Sequence, residues 1–492
     1  MQLGNFSYIK SIFLENKTTK QIIFKNAFWI ALAIGISKLL KLALIIYIAR
    51  ALGATEYGKF TFALAFISLF VVFQNLGLPN IITREFAREK DKEEEFYSLL
   101  SLKILLGFAT LILILISSFL ITSSPDILKI IWILAIFSLI SNFSVIVYAF
   151  FRARQKMEYE SWATILEALI AVGVGFFIIF NFPSITNISY GYLFSAVASL
   201  AFVLVIFHFK VFPLKINWQR SVWRKFLIIS WPLALASLFG TIYVYIDSVM
   251  MGYLGQITQT GWYNAASKVA LFTTVPVAII TASFFPLLSK FFKESKEKLQ
   301  DICDYYLELM VLMALPLVVG GIVLAPKIIE FIYGRDFFPS ILAFQILIMM
   351  AGIIFFSKPL VQILIATNQQ KKVFWTTVFG AAVNVILNLI LIPRFSLYGA
   401  AIATVVTYLL VLLLILIFIY KFTPIRILNL KLFSNFSIVG FSSATMYFVI
   451  SRPRIYDLNL FLSALIGVMV YLFVFGMAKI ILSRFVPRQI YG

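Results

Sequence analysis

What most constrains this chain is the recurrence, from one end to the other, of apolar stretches about 20 residues long, the length that carries a helix across roughly 30 Å of hydrocarbon. They lie near 26–50, 58–78, 98–121, 126–150, 161–181, 188–209, 226–254, 261–288, 302–325, 338–366, 372–392, 398–420, 432–450 and 458–482. In lipid every backbone N–H and C=O must find its partner within its own segment, so each stretch reads as a helix. The expected fold is all-α: a polytopic integral membrane protein of about 14 transmembrane helices. Composition agrees, with 62% apolar and 13% charged residues, against about 45–50% and about 25% in soluble domains. The intervening segments are too short to hold a further domain.

An even number of spans puts both termini on one side, and the basic residues choose which. Of 41 Lys and Arg, 27 fall in segments on the side of the termini and eight on the other. Lysine and arginine collect in cytoplasmic loops, so both termini are expected in the cytoplasm of a multi-pass cell-membrane protein. The same rule accounts for the formal net charge of +20, with membrane lipids rather than nucleic acid as the partner. Residues 1–25 form a cytoplasmic segment without the apolar run of a signal peptide; residues 1–24 suit an amphipathic helix lying on the membrane surface. The run Glu89-Lys90-Asp91-Lys92-Glu93-Glu94-Glu95 reads as a solvated connector. The single Cys303 excludes an internal disulfide, and the single His208, near the end of a span, reads as structural.

Short turn patterns repeat. Ala51-Leu52-Gly53 through Glu56-Tyr57-Gly58 returns as Tyr253-Leu254-Gly255 and Gly261-Trp262-Tyr263, with Gly53 and Gly255 displaced by 202 residues. Pro183 with Tyr190-Gly191 returns as Pro393 with Tyr398-Gly399, displaced at Tyr-Gly by 208. Two parallel six-helix lobes are expected, residues 26–209 and 226–420, joined by a cytoplasmic linker 210–225 and followed by two helices in 432–482. Parallel repeats around a central cavity are a transporter arrangement.

At these turns the chain resembles the oligosaccharide flippase (polysaccharide transporter, Wzx-like) family of the multidrug/oligosaccharidyl-lipid/polysaccharide superfamily. The resemblance is carried by Arg50-Ala51-Leu52-Gly53 with Glu56-Tyr57-Gly58, Asn75-Leu76-Gly77-Leu78 and Arg84-Glu85-Phe86-Ala87-Arg88. Ile246-Asp247-Ser248, Gly261-Trp262-Tyr263-Asn264-Ala265-Ala266, Phe285-Pro286-Leu287-Leu288-Ser289 and Ile332-Tyr333-Gly334 continue it. Asn384-Val385-Ile386-Leu387-Asn388, Ile392-Pro393 and Gly399-Ala400-Ala401-Ile402-Ala403-Thr404 complete it. It implies alternating access and movement of a polyprenyl-pyrophosphate-linked glycan from the inner to the outer leaflet. It leaves the sugar, the lipid carrier and any coupling to H+ or Na+ open.

Ionisable residues at depth each cost roughly 2.5–3.5 kcal/mol on insertion scales, so they are expected to face protein or water. Lys38 and Lys41 share one face of the first helix, roughly 14–18 Å from its outer end. Asp247 and Lys268 lie at equal depth in the seventh and eighth spans, where an ion pair is geometrically possible. Glu167 and Lys358 lie in the fifth and tenth. These six residues are the candidate cavity groups: the lysines to attract a lipid pyrophosphate or acidic sugar, Asp247 to hold Lys268 or gate the lobes. Locking helices together is the alternative role for all six. Asn384 and Asn388, one turn apart, read as interhelical hydrogen-bonding groups. Pro232, Pro276, Pro286 and Pro316 are candidate bends.

Among alternatives, a cation-coupled drug or metabolite antiporter of the same superfamily predicts acids rather than lysines at depth, and a flippase for a peptidoglycan precursor predicts the same chemistry as the main reading. A membrane enzyme is not expected: no large outer loop, no cluster of metal ligands and no G-x-x-x-x-G-K-[ST] loop is present, and no cofactor is required.

Overall fold

The computed structural model describes residues 19–89, 93–210, 215–427 and 430–485, and the secondary structure in them is entirely helical. The expected surface helix of residues 1–24 falls outside the described residues for all but its last few positions, as do residues 90–92 of the acidic-basic run and 211–214 of the linker.

Helices α1 (Thr19–Asn75) and α2 (Leu78–Arg88) are followed by α3 (Glu93–Ile121), α4 (Pro125–Ala153), α5 (Met157–Asn181), α6 (Ile185–Lys210) and α7 (Arg220–Tyr253). Then come α8 (Ile257–Phe272), α9 (Val275–Glu294), α10 (Lys296–Tyr333), α11 (Ser340–Ala366), α12 (Gln370–Phe422), α13 (Leu430–Ile450), α14 (Pro453–Tyr456) and α15 (Leu460–Phe485). Eleven helical stretches are long and apolar enough to span a membrane, and Ser434–Ile450 is a shorter apolar helix. Two of the eleven are double, α1 folding at Gly53 and α12 at Ser396. Counted that way, the described residues carry the fourteen expected crossings.

The turns are tighter than the sequence suggests. Residues 51–57 and 393–397 read as loops, yet helix continues to within one residue of each break. At Gly53 the backbone takes φ 78°, ψ 173°, a region open essentially to glycine alone. Gly255, its counterpart by sequence, also has positive φ, at 75°. The second break falls on Ser396, at φ 52°, ψ −132°, where its hydroxyl donates to Gln256 Oε1 at 2.8 Å. Just beyond, a Cβ on Gly399 would come within 2.2 Å of the Leu391 carbonyl oxygen. No larger residue fits there.

The repeat is most legible where α4 meets α5 and α11 meets α12. Gln155 (φ 57°) and Asn368 (φ 64°) both take left-handed conformations. Around the first, Lys156 N–H donates to Phe151 O (2.9 Å) and Gln155 N–H to Arg152 O (3.1 Å); around the second, Gln369 N–H donates to Leu364 O (2.7 Å) and Asn368 N–H to Ile365 O (3.1 Å). Both are the same helix-ending motif, in which a left-handed residue satisfies the last carbonyls.

The chain divides into two compact units, Met1–Tyr253 and Leu254–Gly492. The sequence boundary at 210–225 follows the repeat, whereas the packing places α7 in the first unit. Two glycines explain its position. A Cβ on Gly77 would meet Leu233 Cβ and Ser230 O of α7, both at 2.8 Å, and one on Gly252 would meet the Phe62 ring. α7 therefore lies directly against the α1–α2 break and the second arm of α1. The stretch between the second and third expected spans is largely occupied by α2. Its buried Leu78, Ile81, Ile82 and Phe86 recur at helical spacing and join a phenylalanine-rich core with Phe96, Phe150, Phe151, Phe207 and Phe226.

In the second unit the expected eighth span is two helices, α8 and α9, broken at Thr273 and Thr274. Pro276 stands in the first turn of α9, where a missing N–H costs nothing. Pro232, Pro286 and Pro316, also candidate bends, sit inside uninterrupted helices. The two trailing crossings pack on α10: Val439 and Met446 of α13 share a buried cluster with Val311 and Leu324, while from α15 Tyr471 Oη donates to Leu312 O at 2.8 Å and Lys479 Nζ to Glu308 Oε1 at 2.7 Å.

Candidate functional site

In the first unit the candidate site is built on the first arm of α1. Ala33, Ser37, Leu44 and Ile48 are buried, and Lys41 falls on the same stripe, four residues after Ser37. That stripe packs on α5, where Ala168, Ala171 and Gly175 keep the surface small, as close helix approach in lipid requires. A Cβ on Gly175 would meet Leu44 Cδ1 at 2.6 Å. The approach brings Lys41 Nζ to 2.8 Å from Glu167 Oε1, with the lysine side chain 35% and the glutamate 11% exposed. Lys38, one turn earlier, is exposed and has no carboxylate within ion-pair distance among the described residues. The two lysines expected to act alike therefore differ: one is held by an acid, the other is open.

Three further groups in this unit escaped the sequence reading. Lys25, wholly buried, lies 3.0 Å from Glu158 Oε2 and donates to Gln155 O at 3.1 Å. Arg152 grips Glu160 through both Nε and a terminal nitrogen, a bidentate charge-assisted bond. Lys103, 3% exposed, donates to Gln74 O at 2.8 Å and to Asn75 Oδ1 at 2.7 Å. Asn75 Nδ2 in turn donates to Asn142 Oδ1 at 3.0 Å. Lys103 thus caps the carbonyl end of the second arm of α1, where the helix dipole favours a cation. The signal was present in sequence as Asn75 before Gly77, but the partner Asn142 is 67 residues away.

The second unit holds Lys268 on α8 and Lys358 on α11. Within that unit, among the described residues, neither has a carboxylate at ion-pair distance. Lys268 is partly buried and lies one turn before the α8–α9 break; Lys358 is exposed. The position of α8 is fixed by its neighbours. Ser340 Oγ donates to Trp262 O at 2.8 Å, Trp262 Nε1 donates to Asp336 O at 2.9 Å, and the Tyr263 and Thr404 hydroxyls are 3.2 Å apart. Asn388 Nδ2 donates to Asn384 Oδ1 at 3.1 Å, both side chains wholly buried; this bond runs along α12, whereas bonds between helices are expected from the sequence. Asp247, 3% exposed, belongs to α7 and the first unit, Lys268 to the second. Among the described residues no group of three or more His, Cys, Asp or Glu is placed to hold a metal ion.

The profile of the polysaccharide biosynthesis protein family matches residues 23–292, more than half of the 492-residue chain. The chain belongs to that family. It is 22% identical to a probable low-salt glycan biosynthesis flippase of Haloferax volcanii over 74% of this chain and 76% of that protein. It is also 22% identical to a putative O-antigen transporter of Shigella flexneri over 68% of this chain and 82% of that one. Among solved structures, a lipid II flippase in an inward closed conformation superposes with a TM-score of 0.75, at 17% identity, over 92% of this chain and 98% of that one. The family member is thus a multi-pass membrane protein with the lipid II flippase fold. The motifs that carry the family resemblance are largely turn and packing residues: Gly53, Gly77, Gly261, Tyr263, Ala265, Ala266, Asn384, Asn388 and Gly399. They specify the scaffold and are silent on the cargo.

Proposed function

We propose that this protein is a flippase that moves a polyprenyl-pyrophosphate-linked oligosaccharide from the inner to the outer leaflet of the cell membrane by alternating access, with both termini in the cytoplasm. The observation that carries this reading is the sign of the charge left open at depth. Lys38 in the first unit, and Lys268 and Lys358 in the second, lack a carboxylate partner among the described residues of their own unit, and Glu167 is already engaged by Lys41. A cation-translocating site needs the reverse balance, free acids and no free lysines. A pyrophosphate under a sugar is a compact anion that lysines in a low-dielectric setting attract strongly. The family and the named relatives support a glycan-linked cargo. Expulsion of a dianion from a negative interior is itself favourable, by about 2.3 kcal/mol per charge per 100 mV.

The test is transport by the purified protein in liposomes carrying a fluorescent polyprenyl-pyrophosphate oligosaccharide, with leaflet exposure read by a membrane-impermeant quencher. Flipping is expected for the wild type and a loss of tenfold or more, equivalent to about 1.4 kcal/mol of barrier, for Lys268→Gln and for the pair Lys38→Gln/Lys41→Gln. Export of cationic dyes without movement of the lipid-linked glycan would show an antiporter instead. Repeating the assay with an imposed proton or sodium gradient assigns the coupling ion.

A further inference from the structure

Lys41 is not waiting for a ligand. Its ammonium lies 2.8 Å from Glu167, and its side chain is one-third exposed while that of Glu167 is largely covered. An anion arriving at Lys41 from its open side must compete with a carboxylate already there. A carboxylate losing its cation at this depth needs replacement donors, because an unpaired buried charge is far costlier than a paired one.

Two such donors stand ready. Tyr148 of α4 and Tyr192 of α6 stand on helices that flank Glu167: Ser199 of α6, two turns after Tyr192, donates to the carbonyl of Ala163, one turn before Glu167 on α5, at 3.2 Å. Tyr192 is buried with its hydroxyl unbonded among the described residues. Tyr148 is buried near Ser144 and Ser199, its hydroxyl in no well-formed hydrogen bond. Buried hydroxyls without partners are rare in native proteins and each asks for a reason. Ring contacts hold Tyr192 in place, with Phe60 at 5.3 Å and Phe137 at 5.7 Å between centroids. Glu160, on the same helix as Glu167, is committed to Arg152.

We propose that Glu167 is the competitor that the cargo's phosphate must displace from Lys41, and that the Tyr148 and Tyr192 hydroxyls receive the displaced carboxylate. The exchange breaks the Lys41–Glu167 ion pair, forms a Lys41–phosphate pair and gives Glu167 up to two O–H donors. No proton needs to move and the net charge of the protein is unchanged. Return of Glu167 to Lys41 then expels the phosphate, so the pair acts as a built-in release device. Glu167 is a positioning residue here, since it acts on the cargo through Lys41. This inference rests on the reading of Lys41 as an anion-binding group.

The test is binding of geranylgeranyl pyrophosphate to the full-length protein in nanodiscs, with inorganic pyrophosphate as the headgroup-only probe, alongside liposome transport. Glu167→Gln is expected to tighten binding about tenfold, the scale of one charge-assisted bond, while slowing turnover through delayed release. Tyr148→Phe/Tyr192→Phe is expected to weaken binding by a similar factor without removing any group that touches the probe. Should Glu167→Gln fail to fold, Glu167→Asp keeps the charge with a shorter reach and is expected to tighten binding by a smaller factor. Unchanged binding in Lys41→Gln would remove the anion-binding reading itself, and this inference with it. Weaker binding in Lys41→Gln together with unchanged or weaker binding in the Glu167 variants would overturn the exchange alone. Tighter binding in Glu167→Gln with no effect of the tyrosine pair would overturn the receiving role of Tyr148 and Tyr192.

Discussion

The two halves of this molecule share their turns and differ in how they treat charge. Gly53 and Gly255 both turn the chain at positive φ, and Gln155 and Asn368 end their helices with the same pair of backbone bonds. Yet the first unit pairs three buried glutamates internally, as Lys25–Glu158, Lys41–Glu167 and Arg152–Glu160, with Lys103 resting on amide oxygens. In the second, α8 and α12 are joined by the neutral Tyr263–Thr404 contact, while Lys268 and Lys358 have no acid at ion-pair distance among the described residues of the unit. Its internal pair Lys479–Glu308 ties the trailing helix α15 to α10. Backbone geometry is conserved between halves because turns have few solutions. Buried charge is free to diverge because each unit needs only to balance itself or leave a charge for a ligand.

Four tests break or sharpen this contrast. The largest stability loss is expected from Lys25→Met, which strands Glu158 in a buried setting at about 3–5 kcal/mol; Lys25→Met/Glu158→Leu should regain most of the lost Tm. If the single variant is as stable as wild type, the first unit does not depend on internal neutralisation. Next, Gly53→Ala forces a Cβ into a glycine-only region and is expected to cost about 1–3 kcal/mol in thermal unfolding. Ser396→Gly at the other break should stay within about 1 kcal/mol of wild type, because relief of strain offsets the loss of one hydrogen bond. Equal losses at the two breaks would show that they are not strained alike in the way their dihedrals indicate. Third, Lys268→Met should change unfolding stability by less than about 1 kcal/mol, since among the described residues of its unit no acid is stranded, while glycan flipping falls sharply. A large Tm loss there would reveal a structural lysine and erase the difference between halves. The smallest effect belongs to Asn368→Gly, a gain of no more than about 0.5 kcal/mol from a residue freer at positive φ; a loss would mean that the Asn368 side chain does more than tolerate its turn.

Much of this was legible before any coordinates. Periodic apolar length fixes the crossings because lipid demands helices of one size, and the displaced Leu-Gly and Tyr-Gly patterns locate the repeat at turns where backbone chemistry restricts the residue. The helix α2 was missed because its apolar face, four residues spread over Leu78 to Phe86, is too short for a span and sits among charges. The break between α8 and α9 is marked in the sequence only by Pro276, a candidate bend within one span, because Thr273 and Thr274 are compatible with helix.

The sequence by itself determined that the chain is a membrane-spanning bundle of two related halves, which residues are ionisable at depth, and that lysines predominate there. Those follow from length, hydropathy and local turn chemistry, all properties of neighbours along the chain. Tertiary structure alone decided that Lys41 is paired with Glu167 while Lys38 has no carboxylate at ion-pair distance among the described residues, and that Lys103 caps a broken helix. It also decided that α7 packs in the first unit and that Glu167 lies near Tyr148 and Tyr192. Each of these depends on residues from different helices meeting, and a meeting set by side-chain volumes such as those at Gly77, Gly175 and Gly252 leaves no periodic trace in the order of amino acids.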